Sequence, residues 1–156
     1  MEPEKVAERL RGKFPEVVVE PFAGCAGRVR FPPSALIPLL TEVRDGLGFD
    51  HLGQVGAIDW VDEREVFYTV WSDREKQYLF LSTRVPATEP HLESATPVYP
   101  SASWHEREAW ELVGVGFDHH PDLRPLLTPT GYQFHPLLRS FRLHEPEELE
   151  VKVRDV

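Results

Sequence analysis

The alternation of apolar and polar residues is clearest over residues 49–85, where it has a period of two. This pattern is typical of strands that have one buried face and one open face. Three strands are predicted, at residues 55–60, 65–71 and 77–85, joined by tight turns. In the second of these strands, Val66, Tyr68 and Val70 should point to one side of the sheet and the intervening residues to the other.

Apolar residues at helical spacing predict three helices. The helices are predicted at residues 4–14, at about 33–45 and at 104–113, with two further short strands at residues 17–19 and 28–31. Pro15 should end the first helix, and Gly46 with Gly48 should end the second. This order of elements is typical of an α+β fold with a single mixed, mostly antiparallel sheet and helices packed on one face.

The rest of the chain is rich in proline and has little sustained periodicity. Residues 86–100 form a long predicted connection, and prolines recur through residues 118–142. Long irregular segments of this kind commonly wrap a surface or contact a partner. We therefore predict an α+β domain at residues 1–118, followed by an extended docking segment and acidic tail at residues 119–156.

Composition and net charge indicate which classes of protein this chain can belong to. The chain has 156 residues, of which 41% are hydrophobic, and a formal net charge of −9. These values fit one globular domain and disfavour binding to a nucleic-acid backbone. Because Cys25 is the single cysteine, we expect no internal disulfide, cysteine-ligated zinc site or iron–sulfur cluster held by this chain alone. We also expect no signal peptide, and no transmembrane helix, which needs roughly 20 apolar residues.

The last predicted helix carries the most structured polar pattern. Ser103 and Glu106 have the spacing of a capping box, in which the two side chains satisfy backbone N–H groups at a helix start. Gly114 stands where a helix commonly ends. Arg107 and Glu111 are separated by four residues, the spacing of a helical ion pair.

This helix also mixes carboxylates with indole rings on both of its faces. Trp104, Glu108 and Glu111 share one face, whereas Glu106 and Trp110 lie on the opposite one. Neither face is a pure core stripe or a pure solvent face. Two interpretations stay open. The helix either covers buried aromatic rings at the surface of its own chain, or forms a protein–protein contact in which Trp and Arg are anchors.

Three of the histidines that follow the helix suggest a metal site. However, the adjacent residues His119 and His120 ordinarily point in different directions, and no Cys-x-x-Cys or His-Glu-x-x-His motif accompanies them or His135. The proline-punctuated loops with Arg124 and Arg139 are better suited to docking on a partner. A small histidine-metal enzyme stays open as an alternative, which metal analysis of the histidine variants would test.

Together these residues resemble a known family. A run that begins Ser101-Ala-Ser-Trp-His-Glu-Arg-Glu is followed by His120-Pro-Asp-Leu-Arg124 and by His135-Pro-Leu137. This combination is similar to the 30 kDa (C-type) subunit of respiratory complex I, the NADH:quinone oxidoreductase. The resemblance is strong over residues 97–139 and weaker over residues 28–96.

The resemblance implies a peripheral-arm subunit without an active site, flavin, iron–sulfur cluster or quinone site of its own. It implies docking on the 49 kDa (D-type) subunit, with FMN and iron–sulfur clusters in partner subunits, on the cytoplasmic side of a bacterial inner membrane. The motif positions are Trp104, Glu106, Arg107, Glu108, Glu111, His120, Pro121, Arg124, His135, Pro136 and Arg139. Their implied role is assembly, because a charge buried at an interface is stable only when it is paired.

Two other uses of such a domain stay open. The equivalent subunit of a membrane-bound hydrogenase or another complex I-like enzyme would carry the same motifs, and the neighbouring genes would distinguish it. A free-standing adaptor would instead be a monomer without an exposed apolar patch.

Overall fold

The computed structural model describes residues 2–143, and its centre is a five-stranded sheet. The helices are α1 (Pro3–Arg11), α2 (Leu36–Thr41) and α3 (Ala102–Val113), and α2 is preceded by a 3-10 turn (Pro33–Ala35) and continued by a π turn (Glu42–Gly46). The strands are β1 (Val18–Glu20), β2 (Arg28–Arg30), β3 (His51–Asp59), β4 (Glu63–Ser72), β5 (Gln77–Pro86), β6 (His91–Glu93) and β7 (Gly116–Asp118).

The main sheet has the strand order β1-β2-β5-β4-β3. Its pairs are antiparallel except β2 with β5, which is parallel. A separate pair of parallel strands, β6 and β7, joins the proline-rich connection to the chain that leaves α3. The predicted α+β class with a mixed, mostly antiparallel sheet is therefore confirmed.

The two faces of the main sheet differ as the alternation predicts. Val66, Tyr68 and Val70 on β4 are fully buried in the core beneath the helices. Phe67 and Trp71 point to the other face and are only partly buried. The ring of Phe67 lies directly over Gly56 on the neighbouring strand, where a Cβ atom would clash with it. Gly56 is thus a packing requirement of the open face.

Several element boundaries differ from the sequence prediction. Strand β3 begins at His51, four residues before the predicted start at Val55, because an irregularity between Leu52 and Gln54 interrupts the alternation. Helix α3 begins at Ala102, two residues before the predicted start. Strands β6 and β7 were not predicted, because they lie in or beside proline-rich segments without sustained alternation.

Candidate subunit-docking site

Residues 119–139, which we call the strap, run along α3, and Arg107 of that helix fixes their first half. The Arg107 guanidinium donates from Nε to the carbonyl oxygen of Arg124 at 2.9 Å and from Nη2 to that of Pro125 at 3.0 Å. Its central carbon also lies 5.1 Å from the ring centroid of Trp104, within the range of a cation–π contact. Arg107 therefore satisfies backbone groups of its own chain.

Glu111, one turn further along α3, binds the next residues of the strap. Its carboxylate accepts N–H groups from Leu126 and Leu127, each at 2.9 Å, and from Thr128 at 2.6 Å. The Thr128 hydroxyl donates to the same carboxylate. Burial alone would raise the pKa of Glu111, but these donors outweigh it and hold the pKa below its ordinary value. The predicted ion pair between Arg107 and Glu111 is wrong, because both side chains bind strap backbone instead.

His120 attaches the start of the strap to the first turn of α3. Its Nδ1 accepts the N–H of Asp122 at 3.0 Å, and its Nε2 lies 3.1 Å from the carbonyl oxygen of Ser103. Because Nδ1 is an acceptor, Nε2 carries a proton and donates it to the Ser103 carbonyl oxygen. Pro121, the next motif residue, is exposed.

His135 attaches the other end of the strap at the end of α3. Its Nδ1 donates to the carbonyl oxygen of Glu111 at 2.8 Å, and the Leu137 N–H donates to that of Leu112 at 2.9 Å. Gly114 ends the helix in the left-handed region with φ of 78°, as predicted for a terminal glycine. A Cβ atom at Gly114 would lie 2.9 Å from the His135 ring. Both the positive φ and this close approach therefore require glycine at the position. Pro136, which lies between His135 and Leu137 in the sequence, is half-buried.

Glu106 lies in the protein interior, where its Oε2 is 3.9 Å from Nε2 of His120 at the start of the strap. Its carboxylate accepts the Ser94 hydroxyl and the Ala95 N–H, both at 2.6 Å. The predicted capping box is therefore wrong, because Glu106 caps the proline-rich connection and Ser103 lies inside the helix. Burial raises the pKa of Glu106 to about 7, despite the two hydrogen bonds that favour its charged form.

Arg139 ends the strap at the far edge of the main sheet. Its N–H donates to Asp59 Oδ2 at 2.8 Å, a contact between residues 80 positions apart. Burial would raise the pKa of Asp59, but the N–H groups of Arg139 and Val61 and the charge of Arg64 hold it below its ordinary value. The strap is thus anchored on α3 and on β3.

Other motif side chains point outward. Trp104 is 61% exposed, and Leu127 and Leu137 on the strap are 62% and 60% exposed. Glu108 is also exposed, and the structure gives it no hydrogen bond or ion pair within residues 2–143. Arg124 is exposed and makes a local ion pair with Asp122 at 2.9 Å. We call Trp104, Glu108, Leu127 and Leu137 the outer α3 surface.

The carboxylates, arginine and indole rings of α3 therefore fall into a buried group and an exposed group. Glu106, Arg107 and Glu111 are buried and hydrogen-bonded within this chain. Only Trp104 and Glu108 remain open on the helix itself. The interface role of the motif positions as a set stays a prediction.

The three histidines do not converge on one site. His119 is exposed and pairs with Glu93 at 3.0 Å, whereas His120 and His135 bind opposite ends of α3. Among the described residues, no group of three or more His, Cys, Asp or Glu side chains has the geometry to hold a metal ion. None of the helices in residues 2–143 is long and apolar enough to span a bilayer.

A comparison with known protein families shows which family this chain belongs to. The model of the family described as the 30 Kd subunit of respiratory-chain NADH dehydrogenase matches residues 29–147. The chain belongs to this family. The predicted resemblance is therefore confirmed.

Two similar proteins are the C subunits of differently named enzymes. The C-type subunit of an F(420)H(2) dehydrogenase from Methanosarcina mazei is 37% identical over 135 residues, which cover 83% of this chain and 84% of that protein. The C-type subunit of an NADH-quinone oxidoreductase from Moorella thermoacetica is 33% identical over 138 residues, which cover 87% and 93%.

Two solved structures share the fold of this 30 kDa family member. The trypsin-resistant fragment (1-134) of Nqo5 matches with a TM-score of 0.68 and 26% identity, over 79% of this chain and 100% of the fragment. A chain of the membrane-bound sulfane sulfur reductase, an archaeal respiratory membrane complex, matches with a TM-score of 0.81, over 90% and 85%. At 18% identity, this second match shows likeness of fold alone.

Sequence reasoning missed the partners of the motif residues. Ser94, Thr128 and Asp59 hold Glu106, Glu111 and Arg139 respectively, yet none was a candidate from spacing. Each contact links segments that have no common period. Asp59 gave the one available signal, a carboxylate at the end of a strand pattern.

Proposed function

We propose that this chain is a non-catalytic peripheral-arm subunit of a proton-translocating NADH:quinone oxidoreductase and docks on the 49 kDa (D-type) subunit. Family membership supports this class of complex. In the proposal, FMN and iron–sulfur clusters of partner subunits carry the electrons from NADH towards quinone. The complex, not this chain, contacts the membrane, and the chain lies on its cytoplasmic side.

The docking role is inferred from the hydrogen bonds that the motif side chains make to the backbone of this chain. Arg107 and Glu111 are hydrogen-bonded to strap backbone, and His120 and His135 to backbone at the two ends of the strap and α3. Side chains saturated in this way shape a surface and are not available to bind a substrate. The motif therefore serves to build a rigid outer surface from a segment that has little secondary structure.

The outer α3 surface has the composition of an interface. Trp104, Leu127 and Leu137 expose large apolar side chains, and aromatic anchors of this kind dominate binding energy in protein–protein contacts. Glu108 adds a carboxylate without a partner inside the described part of the chain. We therefore expect the D-type subunit to present a basic side chain to Glu108, framed by apolar residues.

Purification from membranes tests this proposal. The affinity-tagged full chain should bring the D-type subunit and the other peripheral-arm subunits with it. Glu108→Arg should lower the yield of the D-type subunit roughly tenfold or more, because it places like charges together. Glu8→Arg, a matched exchange of an exposed helical glutamate on α1, should leave the yield unchanged. Equal yields from the two variants would contradict docking through Glu108.

A second candidate is the equivalent subunit of a complex I-like enzyme with another electron donor. The 37% identity to the C-type subunit of an F(420)H(2) dehydrogenase favours it. The same purification distinguishes the two, because electron-input subunits that oxidise NADH or reduced F420 would accompany the chain. Membranes should correspondingly reduce quinone with one donor and lose that activity when the chain is deleted.

A further inference from the structure

The face of the main sheet that points away from the helices exposes several large aromatic side chains within residues 2–143. Phe22, Trp60 and Tyr78 are 45%, 44% and 44% exposed, although each is a large aromatic side chain. Phe67 and Phe80 on β4 and β5 are only partly buried between them. Exposed apolar area concentrated on one face is unusual for a monomer and typical of a binding surface.

A pocket lies in the middle of this face. It encloses about 250 Å³, and its apolar walls are Phe22, Ile58, Phe67 and Phe80. The rings of Phe22 and Phe80 meet edge to face with centroids 5.1 Å apart, which fixes one wall. Glu65 borders the pocket on its polar side. The pocket has the size and lining to accept one large apolar side chain.

A stack of two arginines on an indole ring adjoins the pocket. The guanidinium carbons of Arg84 and Arg139 lie 5.4 Å and 5.5 Å from the Trp60 ring centroid. The Trp60 N–H donates to Glu65 at 2.8 Å, and Glu65 also pairs with Arg28 at 3.1 Å and with Arg84 at 3.4 Å. Glu65 thus links the pocket directly to the stack.

The charges of this stack are not balanced. Glu65 and Glu63 neutralise Arg28 and Arg84. Within residues 2–143 the Arg139 guanidinium makes no ion pair of its own, and Asp59, the carboxylate whose pKa its charge helps to lower, is already paired with Arg64. The surface beside the pocket is therefore locally cationic on an acidic protein, and it suits a carboxylate in a partner.

We propose that the open sheet face is a second docking surface, whose occupant is a segment of another subunit of the complex with a large apolar residue next to an aspartate or glutamate. The apolar side chain fills the pocket bounded by Ile58 and Phe80. The carboxylate binds Arg139 and the exposed edge of Arg84. This inference rests on the proposed function, because it requires the chain to be part of a complex.

Site-specific cross-linking in the intact complex tests the occupant. A photoreactive benzoylphenylalanine replaces Ile58 in the tagged full chain, and the cross-linked peptide is identified by mass spectrometry after purification from membranes. The expected product joins position 58 to a peptide of another subunit that contains the apolar–acidic pair. A cross-link only to residues 144–156, the acidic tail of this chain, would overturn the proposal, as would no cross-link.

Charge reversal tests the arginine stack separately. Arg139→Glu keeps the backbone N–H that binds Asp59, and should reduce the yield of the cross-linked subunit roughly tenfold or more. Arg139→Gln should show a smaller loss. Arg11→Glu, at an exposed position of α1 on the helix side, is the matched control and should behave as the unmodified chain. Thermal unfolding of each purified variant checks that the fold is kept.

The outcomes separate this inference from the proposed function. If the unmodified chain purifies with respiratory subunits but the Arg139 variants retain all of them, the sheet-face proposal fails and the proposed function stands. If the unmodified chain purifies with no respiratory subunit, the proposed function fails and the sheet-face proposal fails with it.

Discussion

Replacement of Glu111 by alanine should release the strap from α3. The Glu111 carboxylate accepts the N–H groups of Leu126, Leu127 and Thr128 at 2.9, 2.9 and 2.6 Å, in addition to a hydroxyl. A hydrogen bond to a charged group contributes about 1.5–3 kcal/mol, but the four act on one segment and are not additive. Since the freed N–H groups regain water when the strap opens, we expect a net loss of about 2–4 kcal/mol.

Amide hydrogen exchange of the purified full chain is the most direct assay. Exchange at residues 126–128 should accelerate by roughly a hundredfold, which corresponds to about 3 kcal/mol of local opening. The amides of β4 and β5 should be less affected, because the strap adds little to the core of the main sheet. Urea unfolding of the same variant would measure how much of the loss reaches global stability.

Glu108→Ala is the matched control, because Glu108 lies on the same helix and has no partner in residues 2–143. It should change stability by less than about 0.5 kcal/mol and leave strap exchange unchanged. If Glu111→Ala exchanged at residues 126–128 no faster than Glu108→Ala, the carboxylate would not be what holds the strap.

Acid should open the strap in the unmodified chain. The pKa of Glu111 lies below its ordinary value of 4.5 in the folded state. Its stabilising contribution is therefore fully present above about pH 4.5, and is lost as the pH falls through the folded pKa.

Two further predictions concern Glu106 within α3 and Gly114 at its end. The pKa of Glu106 is about 7 in the folded chain against an ordinary 4.5, so the folded state binds the proton more tightly. The free energy of unfolding should fall by about 3 kcal/mol between pH 4.5 and 7, and Glu106→Gln should flatten this slope in urea titrations. Gly114→Ala should cost about 1–2 kcal/mol in thermal unfolding, because φ is 78° and His135 lies close. Gly12→Ala, at a helix end with φ of −65°, should cost less.

The sequence predicts what depends on local periodicity. The alternation through Val66, Tyr68 and Val70 identifies the buried face of β4 correctly, and Gly114 marks the end of α3, because each pattern is repeated or conformationally demanding within a few residues. Strands β6 and β7, which border proline-rich segments, are not found by the same reasoning.

The position of the strap cannot be predicted from local periodicity, for a physical reason. Prolines leave residues 121–136 unable to satisfy their backbone groups in a helix or sheet. Side chains elsewhere must then do so, and the spacing of Arg107 and Glu111 suggests instead that the two satisfy each other. Once the strap lies along α3, three N–H groups and two carbonyl oxygens compete for these side chains and displace the helical ion pair.

The same strap positions both proposed docking surfaces, and this coupling can be measured. It carries Leu127 and Leu137 on the outer α3 surface and delivers Arg139 to Trp60 on the sheet face. Glu108→Arg should therefore weaken only the D-type contact, and Arg139→Glu only the sheet-face contact. Glu111→Ala, which removes an exposed side chain from neither surface but releases the backbone N–H of Leu127, should weaken both, because it frees the segment on which they depend. Loss of one contact without the other in Glu111→Ala would show that the two surfaces are built independently.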